Sequence, residues 1–182
     1  MTKRTRKPIW SPATCTVLLG VVVTLACVRL TDVTQPSTVT GETTFEAEVR
    51  GVVDGDVTKQ AGGPAYGVLA VSLPENWELK DVRSRDFPGR MRAAPTSDDV
   101  PGNTRAGYRW WVYETPELKD ASVYVGRAFQ LMIKVRTAPT RGDYLLMYTG
   151  GVAATGQGDA DARFTYGGTG RGGSVSRHIT VE

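Results

Sequence analysis

The stretch Val125–Arg136, "VGRAFQLMIKVR", is the clearest strand: Phe129, Leu131, Ile133 and Val135 fall on one side with period two, and Gln130, Met132, Lys134 and Arg136 on the other. Only an extended strand with one dry face and one wet face places side chains that way. The pattern returns at "TTFEAEVR", where Phe45, Ala47 and Val49 oppose Glu46, Glu48 and Arg50. In "YGVLAVSLP", Leu69, Val71 and Leu73 oppose Val68 and Ala70, as in a central strand covered on both faces. Beyond the N-terminal leader, no stretch of ten or more residues carries the helical period. Eight or nine short strands separated by Gly and Pro turns predict an antiparallel two-sheet sandwich.

The leader constrains the compartment. Lys3, Arg4, Arg6 and Lys7 precede the apolar run "TCTVLLGVVVTLACVRL", and no charge lies between Lys7 and Arg29. A basic start, an apolar middle and small residues near the end make a secretory leader. Cys15–Val28 is short for a span, which takes roughly 20 apolar residues. Counting from Ile9 reaches that length but includes Pro12. The end of the run, Thr24-Leu25-Ala26-Cys27, resembles a bacterial lipobox, with Thr24 where a leucine is usual. That resemblance implies lipidation at Cys27. Three fates stay open: a lipoprotein, an uncleaved anchor helix, or cleavage after Ala26. Each exports the remainder. The expected division is 1–27 as signal peptide or membrane anchor, 28–40 as a Thr/Ser/Pro-rich linker, and 41–182 as the β-sandwich domain.

Charge removes one class of function. Of the 22 basic residues, the four at the N-terminus belong to the leader; the other 18 face 19 acids. A near-neutral domain lacks the basic footprint of a nucleic-acid binder. Both cysteines, Cys15 and Cys27, precede the domain, so packing rather than disulfides must hold it.

Three segments, "QPSTVTGETTFEAEV", "YGVLAVSLPENWEL" and "AFQLMIKVRTAPTRGDYLLMYTG", together resemble bacterial surface immunoglobulin-like or fibronectin-type domains over roughly Gln35–Gly150. The resemblance implies an immunoglobulin-like sandwich serving adhesion, spacing or ligand binding without catalysis.

Candidate chemistry is sparse. Gly168-x-Gly170-x-x-Gly173 matches a dinucleotide fingerprint, but a strand-like tail follows where a helix is required. His178 is the single histidine, too few for a zinc site. It leaves a hydrolase as the weakest alternative, with no GxSxG elbow to support it. Asp54/Asp56, Asp98/Asp99 and Asp159/Asp161 lie in turns and are the calcium candidates, though none matches an EF-hand. No cofactor is expected. In "YRWWVYE", Arg109, Trp111 and Tyr113 share one face and Tyr108, Trp110 and Val112 the other. Arg109, Trp111 and Tyr113 are the ligand-binding candidates, since exposed aromatics stack on sugars or protein partners. Trp77 is expected to plug the core. "TPELKD" predicts one helical turn with Thr115 as N-cap. The expected function is a non-enzymatic, membrane-anchored extracytoplasmic module of the cell envelope, meeting an envelope protein or a glycan; the alternative is a carbohydrate-binding accessory domain.

Overall fold

The computed structural model describes residues 28–53, 66–87, 89–93, 105–153 and 174–182. They form a two-layer β-sandwich. Its strands are β1 (Arg29–Thr34), β2 (Thr38–Val39), β3 (Thr44–Val52), β4 (Tyr66–Pro74), β5 (Glu78–Ser84), β6 (Arg92–Ala93), β7 (Tyr108–Glu114), β8 (Ala128–Arg136), β9 (Gly142–Ala153) and β10 (Ser174–Val181). One sheet has the order β1-β3-β8-β5, the other β2-β10-β9-β4-β7-β6. Among the described residues, no helix is long and apolar enough to cross a membrane. The expected leader helix and Cys27 lie outside the described residues.

Period-two alternation builds the core as expected. Phe45, Ala47 and Val49 from β3 and Phe129, Leu131, Ile133 and Val135 from β8 meet Leu69, Val71 and Leu73 from β4, with Leu146 and Tyr148 from β9. Burying such a side chain contributes about 1.5–3 kcal/mol. Across the β3–β8 pair, Gly51 faces Phe129. A Cβ at Gly51 would overlap the Phe129 ring and the Arg29 carbonyl, so the close fit requires glycine there.

The linker expected over 28–40 is corrected. Arg29–Thr34 is strand β1, with Val28, Leu30 and Val33 buried. A register shift between Leu30 and Asp32 puts apolar residues three apart on the same side. After Gln35-Pro36-Ser37 the chain changes sheets, and β2 pairs in parallel with β10. Polar contacts pin this crossing. The Tyr148 hydroxyl donates to Gln35 Oε1 (2.5 Å), Arg177 Nε donates to the Val33 carbonyl (2.7 Å), and Arg177 pairs with Asp32 (2.5 Å).

The helical turn expected at Thr115 is also corrected. The Thr115 hydroxyl accepts a bond from the Gly67 N–H (2.9 Å), tying β7 to β4, and the 3₁₀ turn comes later, at Ala121–Tyr124.

Strand directions sort the connections between the two ends of the sandwich. β1 starts at one end, called proximal here; β3, β5, β7 and β9 finish there and β4, β8 and β10 begin there. The distal end holds the β2–β3, β4–β5 and β8–β9 turns and Glu182.

Candidate functional site

The register of β7 on β4 decides which aromatic face is buried between the sheets. Partners across a ladder point the same way, and Leu69 pairs with Tyr113, Val71 with Trp111 and Leu73 with Arg109. Since Leu69, Val71 and Leu73 line the core, Tyr113 and Trp111 turn inward too. Tyr113 is buried, and its hydroxyl crosses to the other sheet to donate to the Leu79 carbonyl (3.2 Å). Burial first, then the nearby Asp81 charge, raises its pKa, with Arg90 opposing. Its place as an exposed binding residue is therefore corrected. Trp111 is half-buried against the core, and the exposed Arg109 guanidinium covers its ring at 4.0 Å. A sugar would meet a ring face already occupied by a cation.

The opposite face of β7 forms a second apolar cluster. Trp110 and Val112 pack with Val68 and Ala70, and with the half-buried Tyr66 and Met147. Beside it, Glu114 is fully buried and pairs with Arg92 (2.9 Å). Its Oε2 finds no partner among the described residues. Tyr66 donates to Glu117 (3.4 Å); burial and that carboxylate raise the Tyr66 pKa. No group of three or more His, Cys, Asp or Glu side chains fit for a metal occurs among the described residues. Asp54, Asp56, Asp98, Asp99, Asp159, Asp161 and the Gly168–Gly173 loop lie outside them. Trp77 is buried as a plug, edge-on to Phe45 (6.2 Å) and tilted against Tyr144 (5.0 Å). His178 is exposed on β10, with the Thr180 hydroxyl beside it donating to Asp143 (2.6 Å).

The remaining surface of interest is the proximal end. Asp81, tied to Arg83 (2.6 Å) and Arg90 (3.0 Å), fastens the connection that leaves β5. Burial works against its charge, but the two guanidinium hydrogen bonds win and hold its pKa below the usual carboxylate range. Phe87 from this connection packs on Tyr124 and on Phe129, each at 5.3 Å. A cleft of about 100 Å³ lies there, lined by Val53, Asp86, Phe87, Tyr124, Arg127 and Phe129. Small-molecule sites occupy roughly 300–1,000 Å³, so the cleft is too small for one. Above it, the β7–β8 connection carries Val123 and Val125, 45% and 43% exposed. Period two would turn Val125 inward with Phe129. Gly126, at φ +76°, breaks the strand between them and lets Val125 face out. Sequence reasoning missed this tip; a glycine inside an alternating run was the available signal.

No family model matches the chain, and no curated protein matches its sequence. Solved structures similar to it include AvmM, which catalyses macrocyclization in alchivemycin A biosynthesis (11% identity, 86% of this chain and 89% of that one, TM-score 0.48). Others are a cohesin module from a Clostridium perfringens family 33 glycoside hydrolase (14%, 86% and 98%, TM-score 0.42) and an immunoglobulin-like protein from Nocardia farcinica (14%, 68% and 77%, TM-score 0.38). None of these distant likenesses transfers an activity, a partner or a compartment to this chain.

Proposed function

We propose that the chain is a membrane-anchored, extracytoplasmic module of the cell envelope that works by binding or spacing and performs no catalysis. The observation that carries the reading is the junction at Val28. The basic-flanked apolar leader runs to this residue, which is already buried, and β1 starts at Arg29. A leader joined without a spacer to a sandwich strand is the build of a domain held close to a membrane. The non-enzymatic part is supported by how the buried polar side chains are used. Tyr113 and Tyr148 bridge the two layers, and Asp81 and Glu114 hold loop and edge arginines. A glycan would have to displace Arg109 from Trp111 and would not reach Tyr113, which leaves that alternative without a supporting observation.

The test is fractionation of cells expressing the full chain, with protease added from outside. Membrane retention and external digestion are expected; a chain recovered in the cytosol would overturn the reading. Labelled fatty acid should enter the wild type and not Cys27→Ser. Equal labelling of both would end the lipoprotein version, and membrane retention would then favour the uncleaved anchor over cleavage after Ala26.

A further inference from the structure

We propose that the Val123–Val125 tip rests on the lipid surface to which the leader holds the chain, so that the sandwich stands on its proximal end. This rests on the anchored reading of the leader. Among the described residues, Val123 and Val125 are the exposed large hydrophobics, and they flank Tyr124 on one short tip. Scattered apolar residues are normal on a surface. A Val-Tyr-Val tip is different, because an aromatic with a polar end suits the boundary between lipid and water.

Position supplies the partner. Val125 is followed by Gly126, whose N–H donates to the Val53 carbonyl (2.7 Å), while the Val53 N–H donates to the Arg127 carbonyl (3.1 Å). Val52 pairs with Arg29, the first residue of β1, and with Ala128 of β8. The leader junction and the tip therefore flank the same strand end, two strand spacings or about 10 Å apart. Cys27 lies one Cα step, about 3.8 Å, from the buried Val28. A lipid or anchor there has no slack with which to hold the tip away from the membrane. The tip itself is firm, since Tyr124 packs on Phe87.

Charge sets the type of contact. Arg29, Arg85, Lys119 and Arg127 are exposed around this end, and Asp86, Glu117 and Asp120 are exposed among them. So mixed a rim does not select anionic lipid. The contact is a shallow apolar one, which the tether makes effective by raising local concentration.

The experiment uses the full chain in phosphatidylcholine vesicles, carrying the photoreactive residue p-benzoylphenylalanine at Val125 or, as control, at Thr140 on the distal end. Both positions are exposed, so folding is preserved. Illumination should yield lipid adducts several-fold more often at position 125 than at 140. Carbonate-resistant sedimentation with the vesicles reports the anchor separately. Chain that sediments but gives lipid adducts equally at both positions, or at neither, overturns the tip contact alone. In native membranes, an adduct at position 125 to protein in place of lipid overturns it too and identifies a docking surface instead. Chain that fails to sediment overturns the anchored reading and this inference with it.

Discussion

The two ends of the sandwich solve the same problem differently. At the distal end, short turns close over buried aromatics: Trp77 sits between Phe45 and Tyr144, and the Thr137 N–H donates to the Thr43 carbonyl (2.9 Å) while the Thr43 N–H donates to Thr137 Oγ1 (3.2 Å). At the proximal end, charge holds the loop leaving β5, through Asp81 and Arg90, and two valines stay outside. Apolar packing at one end responds little to pH or to the screening of charges. The ion-paired end depends on both. Both ends are packed, but the large hydrophobic side chains left exposed among the described residues lie at the proximal one.

Three substitutions would break or sharpen that contrast. The largest effect is expected from Trp77→Ala, at about 3–5 kcal/mol, because it empties a filled distal site. Urea unfolding would show it as a lower midpoint, and a midpoint within error of wild type would remove the distal plug from the account. Asp81→Asn should cost about 1–3 kcal/mol near neutral pH. Because the folded pKa of Asp81 is lowered, its contribution is present above the unfolded value of about 3.9 and is lost as pH falls through the folded value. The gap between wild type and variant should therefore narrow below about pH 4; a constant gap in an acid titration followed by circular dichroism would mean that the carboxylate charge is not the cause. Smallest is Val125→Ser, with a change within about 0.5 kcal/mol. A loss comparable to that of Trp77→Ala would show that the tip belongs to the core after all.

Strands β3, β4 and β8 were legible because each alternates or is largely apolar, although the β8 pattern read from Val125 starts three residues before the strand does. β1 was not. Its bulge between Leu30 and Asp32 spoils the period, and its threonines read as linker. The two faces of β7 were both visible, but which one faces inward depends on pairing with β4, and β4 is apolar on both faces. Thr115 has the chemistry of a helix cap, yet a strand N–H, that of Gly67, claimed its hydroxyl. The site suffered most. The aromatic composition of β7 points to Arg109, Trp111 and Tyr113, whereas the exposed tip precedes a positive-φ glycine, Gly126, that no side-chain pattern announces.

The crossing of the N-terminal strand from one sheet to the other has a mechanical consequence. β1 lies antiparallel to β3 and β2 parallel to β10, with Val28 and Glu182 at opposite ends. Tension applied between those two residues runs along the strands, so it shears the β1–β3 and β2–β10 hydrogen bonds together instead of unzipping them one by one. A tethered domain pulled from its far end would resist by sharing the force across both layers, and Arg177, gripping Asp32 and Val33, stands where that force passes between them.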